Sequence, residues 1–244
     1  MVLGCFLLVV GTSDLVRTAF SRLDRGRPEI LAIANAVLTS IVVIHTVDAE
    51  RWLVWILAVP AVAWVIATTP SLSGRLGLWP AVGLLSWGAG LLAFGHSEPN
   101  SASWISRINE KLAFTFQSST PTALVVVVGC VLFLLESSNV LVSVIVGSRR
   151  ELRDRVTLEH DRPDDAIRPF RGGRLIGPLE RLLILGLALA GQYAAIGGVV
   201  AAKGIVRFPE ITAGADKSSN AEYFLVGSLA SWGIALLATV VLTI

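Results

Sequence analysis

Apolar residues along this chain gather into seven blocks, parted by short stretches rich in charge, glycine or proline. The blocks run from Val2 to about Phe20, Glu29 to Thr46, Trp52 to Thr68, Leu78 to Phe94, Thr122 to Val146, Leu175 to Lys203 and Ala221 to Ile244. A hydrocarbon core of about 30 Å takes roughly 20 helical residues to cross, so each block reads as a transmembrane helix. The first is the weakest, because Asp14 and Arg17 interrupt its second half. The pattern predicts an all-α, polytopic membrane protein of about seven transmembrane helices. Residues 1–147 hold helices one to five, 148–174 form an arginine-rich loop, and 175–244 form a C-terminal two-helix membrane hairpin.

Composition agrees: 54% of residues are hydrophobic and 16% charged, and the mean hydropathy is +0.71, outside the range of soluble domains. A net charge of +2 is too small to argue for a nucleic-acid partner. Its distribution is more telling. Thirteen arginines (17, 22, 25, 27, 75, 149, 150, 153, 155, 162, 168, 171 and 174) fall on one side of the seven-span arrangement. Arg51, Arg107, Lys111, Lys203, Arg207 and Lys217 fall on the other. Positive loops stay inside, which places the N-terminus outside and the C-terminus in the cytoplasm. Within the outer loop, Trp104, Ile105, Ile108, Leu112 and Phe116 share one helical face, predicting an interfacial helix near 103–117 or an ordinary packed loop helix. The bilayer is the expected surrounding partner, and the arginine-rich loop suits anionic headgroups.

Reactive chemistry is sparse. Cys5 and Cys130 lie inside apolar blocks, so neither a disulfide framework nor a metal site is indicated. Val2–Cys5 loosely matches a lipoprotein cleavage box but lacks a basic and apolar run before it, and no cleaved signal peptide is expected. No glycine-rich phosphate loop, HExxH or CxxC occurs, so no cofactor is implied and an enzyme is disfavoured.

Polar groups inside apolar blocks are costly, on the order of 2.5 to 3.5 kcal/mol each on insertion scales. In the fifth block Glu136, Asn139 and Ser143 share a face with Gly129 and Gly147 at 100° per residue. Glu136 reads as a proton- or cation-binding group, as a structural partner for an arginine, with Arg181 the candidate, or as a hydrogen-bonded neutral acid. Asp14 and Arg17, three residues apart, are close enough to pair on one helix face, and near the expected cytoplasmic boundary snorkelling is the cheaper explanation. Trp52, Trp55, Trp79 and Trp104 fall near interfaces, as indoles prefer.

The sixth block carries two periodicities. Gly186, Ala190, Ala194, Gly198 and Ala202 recur every four residues, a small-residue ridge for packing against another helix, whether a second copy of the chain or another membrane protein. Arg181, Gln192 and Lys203 recur every eleven, which on a continuous helix makes one polar stripe. Gln192 would either bridge helices or line a wet cavity. Pro178 and Glu180 suit a first helical turn. Lys203 and Arg207 form a basic step on the outer side.

GRLIGPLERLLIL, GQYAAIGGVVAAKGIVRF and AEYFLVGSLASW, within Gly173 to Trp232, resemble the C-terminal two-helix segment of a poorly characterised bacterial integral membrane family. The resemblance implies that Glu180, Arg181, Gln192, Lys203, Arg207, Phe208 and Glu222 occupy the family's recognisable positions. It also implies a bacterial plasma (inner) membrane location, and it carries no established activity. Three function classes follow from the residues, of which a membrane enzyme acting on lipid is the weakest because no nucleophile–base pair or metal motif appears, and two carry more weight. One is a channel or transporter for an ion or small solute, with Glu136, Asn139, Arg181, Gln192 and Lys203 as a polar track. The other is a non-catalytic membrane subunit or scaffold that packs through the ridge.

Overall fold

A backbone surrounded by hydrocarbon must satisfy its own N–H and C=O groups, which leaves helices as the economical solution for isolated apolar blocks. The computed structural model describes residues 2–22, 28–47, 50–69, 72, 76–94, 121–156, 173–212 and 217–243. Among the described residues every regular element is helical. These are α1 (Val2–Arg22), α2 (Pro28–Val47), α3 (Leu53–Ala67), α4 (Trp79–Phe94), α5 (Pro121–Leu132), a π turn (Phe133–Ser137), α6 (Ser138–Val156), α7 (Gly173–Leu189), α8 (Tyr193–Thr212) and α9 (Lys217–Thr243). Four stretches are long and apolar enough to cross a membrane: Val2–Ser21, Pro28–His45, Val125–Gly147 and Phe224–Thr243. Leu53–Ala67 and Trp79–Ala93 are apolar but shorter. The expected helix near 103–117 lies outside the described residues, as do residues 157–172 of the arginine-rich segment.

The chain divides into two compact units, Met1–Ser137 and Ser138–Ile244. In the first, α1 is the hub and packs on α2, α3, α5 and the π turn. Its inward side carries Phe6, Val9, Val10, Ser13 and Asp14, all nearly inaccessible. Glycine sets how closely it meets α5. A Cβ on Gly4 would lie 2.7 Å from Val126 Cγ2 and 2.8 Å from its Cα. On Gly11, seven residues later, it would lie 2.9 Å from the Leu132 carbonyl carbon and the Phe133 nitrogen. On Gly129 of α5 it would collide with the Gly4 carbonyl oxygen and come 3.1 Å from the Leu8 nitrogen. These two backbones therefore touch, as small residues in membrane helices permit. On α3, Leu53, Leu57, Ala61 and Trp64 recur at helical spacing on the buried side.

In the second unit α9 packs on α6, α7 and α8, with Ser228, Ser231, Ala235 and Ala238 turned inward. Here the sequence expectation needs correction: Leu175–Lys203 is not one helix. α7 stops at Leu189 and α8 starts at Tyr193. Gly191 adopts φ +70°, which L-residues with a Cβ rarely tolerate. Its N–H donates to the Ala188 carbonyl at 3.0 Å, and the Gln192 N–H donates to the Leu187 carbonyl at 2.8 Å. That is the Schellman closure of a helix C-terminus. The chain then doubles back, because Lys203 Nζ lies 2.6 Å from Glu180 Oε2 across 23 residues. On a straight helix the same separation is about 34 Å. Arg181, Gln192 and Lys203 thus share no stripe.

Pro178 also lies inside α7, which begins at Gly173, and not in its first turn. Glu180 accordingly serves no helix start. It is buried, with 8% of its surface accessible.

Candidate functional site: two buried carboxylate clusters

Among the described residues each unit buries one carboxylate, beside a basic side chain and an indole. In the first unit the acid is Asp14, whose accessibility is 0%. One oxygen, Oδ1, accepts from Arg17 Nη2 at 2.6 Å, and Oδ2 accepts from Trp64 Nε1 at 2.9 Å. The spacing of three residues on α1 brings Asp14 and Arg17 to one face. Trp64 of α3 and Thr68, the residue that caps that helix four positions on, meet them in the same order. Arg17 Nη1 donates to Thr68 Oγ1 at 2.8 Å, and that hydroxyl donates to the Trp64 carbonyl at 2.8 Å. Snorkelling therefore does not describe Asp14. It is a core group, charge-paired and hydrogen-bonded, as a buried charge must be.

Further polar groups line the same stretch of α1. Asn35 Nδ2 of α2 donates to Thr12 Oγ1 at 3.2 Å and Ser13 Oγ at 3.4 Å. Thr18 Oγ1 donates to Glu136 Oε2 at 3.3 Å. Next to Glu136, the buried Ser137 hydroxyl faces Asp14 without closing a well-formed hydrogen bond. Both residues belong to the π turn, a local widening of the helix that often marks functional positions.

In the second unit adjacent residues of α7 serve different neighbours, since consecutive side chains point about 100° apart. Glu180 binds α8 and α9. Its Oε2 accepts from Lys203 Nζ at 2.6 Å, and its Oε1 accepts from Trp232 Nε1 at 2.6 Å. The Lys203 ammonium also lies 5.4 Å from the Trp232 ring centroid and 6.0 Å from that of Phe224, within reach of a cation–π attraction. Arg181 binds α6 and α9. Its Nε donates to Ser231 Oγ at 2.9 Å, Nη1 to Ser138 Oγ at 2.6 Å and Nη2 to Asn139 Oδ1 at 2.8 Å. One guanidinium and one carboxylate hold four helices together.

The structure separates the residues expected from sequence. Asn139 and Arg181 meet directly. Lys203 joins Glu180, and Glu136 belongs to the first unit with Thr18. Gln192 is exposed at the hairpin bend, where its backbone closes the turn. The five ridge residues, Gly186, Ala190, Ala194, Gly198 and Ala202, are all exposed. A Cβ added at Gly186 or Gly198 would meet nothing within 4 Å. Arg207 is partly exposed on α8.

Sequence reasoning missed Trp64, Thr68, Ser231 and Trp232, together with the core role of Asp14. A signal existed. Trp232 stands in the middle of its apolar block and Trp64 lies inside its own, neither at a block's start as Trp52 and Trp79 are. An indole N–H in such a place needs an acceptor, and the chain offers few carboxylates at that depth. Among the described residues no group of three or more His, Cys, Asp or Glu side chains is placed to hold a metal. No family model, curated protein or solved structure matches the chain.

Proposed function

We propose that this chain is a non-catalytic, multi-pass subunit or scaffold of the bacterial inner membrane, and that it offers the α7–α8 hairpin to a neighbouring membrane helix. The observation that carries this reading is the division of labour in the second unit. Glu180, Arg181 and Lys203 are spent inward as ties between helices, while Ala194, Gly198 and Ala202 are exposed and a Cβ at Gly198 would meet nothing within 4 Å among the described residues. On α2 the exposed positions include Ile30, Leu38, Ile41 and Val42. Large side chains suit lipid, whereas small ones let a helix backbone approach. The resemblance of residues 173–232 to a bacterial integral membrane family supports the location.

The hairpin also bears on orientation. If α7 enters from the arginine-rich side, α8 returns there, and Lys203, Arg207 and Lys217 join the thirteen arginines on that side. The distribution becomes sixteen against three (Arg51, Arg107 and Lys111), which strengthens the assignment of that side to the cytoplasm. The helix α9 then leads outward, so both ends of the chain lie outside.

Gly198→Leu is the test of the packing reading. It fills the outward face and is expected to release a bound subunit or split an oligomer, shifting the elution of the purified protein to smaller size. An unaltered elution profile refutes it. A channel or transporter for an ion or small solute is the second reading. It is favoured by Glu136, which holds one long hydrogen bond and no ion pair among the described residues, on a π turn inside an apolar helix. Glu136→Gln is then expected to abolish flux in reconstituted vesicles at unchanged thermal stability. Unchanged flux with lowered stability makes Glu136 structural.

A further inference from the structure

The ammonium of Lys203 rests in surroundings that suit a cation independently of its tether. Glu180 supplies one oxygen at 2.6 Å, and the Trp232 and Phe224 rings supply two π faces, with centroids at 5.4 and 6.0 Å. A carboxylate combined with aromatic faces is the chemistry that recognises ammonium ions. The walls of this box do not depend on the lysine. Trp232 Nε1 donates to Glu180 Oε1 at 2.6 Å and leaves Oε2 for the cation. One residue away, Arg181 Nε ties α7 to α9 through Ser231 at 2.9 Å.

Lys203, in contrast, hangs from the least enclosed helix of the unit. Along Tyr193–Arg207 of α8 no side chain is fully buried, and the Lys203 side chain itself keeps 21% of its surface accessible. The occupant has a way out while the box stays assembled.

We propose that Glu180, Trp232 and Phe224 form an ammonium-binding site that Lys203 fills as a tethered occupant, and that an alkylammonium group takes the site when Lys203 swings out. The group arrives either as a free ion or as the headgroup amine of an aminophospholipid. Tethering gives Lys203 a high effective concentration at the site, so an untethered ammonium competes weakly with it and binds well once the lysine side chain is removed.

The experiment uses the full chain purified in detergent, with Lys203→Ala and Lys203→Ala/Glu180→Gln alongside the unmodified protein. Ethylammonium is expected to raise the unfolding midpoint of Lys203→Ala saturably, beyond sodium at the same ionic strength. The shift is expected to be smaller in the unmodified protein and lost in the double variant. No ammonium-specific shift in Lys203→Ala overturns the proposal. The unmodified protein provides a second measurement that does not depend on the variants folding. Tetramethylammonium, which an amine acylating reagent cannot modify, is expected to increase acylation of Lys203 but not of Lys217, read by mass spectrometry. Unchanged labelling of Lys203 overturns the proposal. The source follows from reconstituting Lys203→Ala in vesicles of phosphatidylglycerol with or without phosphatidylethanolamine. Loss of the ethylammonium response when phosphatidylethanolamine is present assigns the site to the headgroup, and an equal response in both assigns it to the free ion.

Discussion

The ion pair between Glu180 and Lys203 decides whether the second unit contains a hairpin, and a double-mutant cycle measures it. Glu180→Gln keeps the shape and an acceptor for Trp232 but removes the countercharge. Lys203→Met keeps the stem and removes the ammonium. In a soluble interior, removing one partner of a buried pair costs about 3–5 kcal/mol. Two features lower that figure here. The side chains retain 21% and 7% accessibility, so Lys203 regains some solvation when left alone. In addition, a chain unfolded within a membrane finds other polar partners, and interhelical polar contacts there couple by about 0.6 kcal/mol on average and about 1.7 at most. A charged contact of 2.6 Å flanked by two aromatic rings belongs at the upper end, so a coupling of about 1.5 kcal/mol is expected. The assay is reversible unfolding of the purified protein in mixed micelles, followed for the parent, both single variants and the double variant. If α7 and α8 were one straight helix, the two residues would stand about 34 Å apart and would not interact. A coupling within about 0.3 kcal/mol of zero, the scatter of independent sites, therefore refutes the hairpin and the orientation drawn from it.

Gly129→Ala is expected to destabilise by about 1–3 kcal/mol or more, because its new methyl meets the Gly4 backbone and not a movable side chain. Gly11→Ala is expected to do the same against Leu132 and Phe133, while Gly198→Ala in the isolated chain gains about 0.5–1 kcal/mol from helix propensity; unfolding midpoints of the three, with the order reversed, would contradict the α1–α5 contact. Asp14→Leu leaves the Arg17 guanidinium and the Trp64 N–H without their acceptor and is expected to destabilise by less than the soluble-interior figure of about 3–5 kcal/mol, with Asp14→Leu/Arg17→Leu recovering much of the loss; a double variant as unstable as the single one would show that the pair matters for more than charge. A cysteine placed at Thr243 is expected to react with an impermeant maleimide in right-side-out vesicles, since Cys5 and Cys130 are buried. Protection there and reaction in inverted vesicles would return the C-terminus to the cytoplasm.

Helical class and the long apolar helices were legible because they follow from block length and composition, and α1 through α4 appear where their apolar blocks lie. The hairpin was not, for a physical reason. Glycine is common in membrane helices, so one glycine in αL looks like any other until its φ is known. The ridge spacing also misled, since Ala190 and Ala194 keep the interval of four across the bend although they belong to different sides of it. Two clues pointed the other way. The block was 29 residues long where about 20 suffice, and its far end placed Lys203 and Arg207 against the charge trend.

The glycines that bring backbones together proved to be Gly4, Gly11 and Gly129. A close approach depends on what stands opposite, which a single helix's periodicity does not contain.

The carboxylate clusters were legible in a way that spacing alone hides. An indole N–H only donates and a carboxylate only accepts, so in an apolar bundle each answers the other's need. Asp14 meets Trp64 at a separation of 50 residues, and Glu180 meets Trp232 at 52. Beside each, a basic residue on the same helix as the acid reaches a hydroxyl on the same helix as the indole: Arg17 to Thr68 across 51 residues, and Arg181 to Ser231 across 50. Both units thus join the acid-bearing helix to the indole-bearing helix two helices later by the same two bonds. In the first, the acid and base also neutralise each other on one face of α1. In the second they lie on adjacent positions that diverge, so Glu180 takes its countercharge from α8. That difference is why Asp14 is sealed while the cation at Glu180 comes from a neighbouring helix and keeps 21% of its side chain accessible.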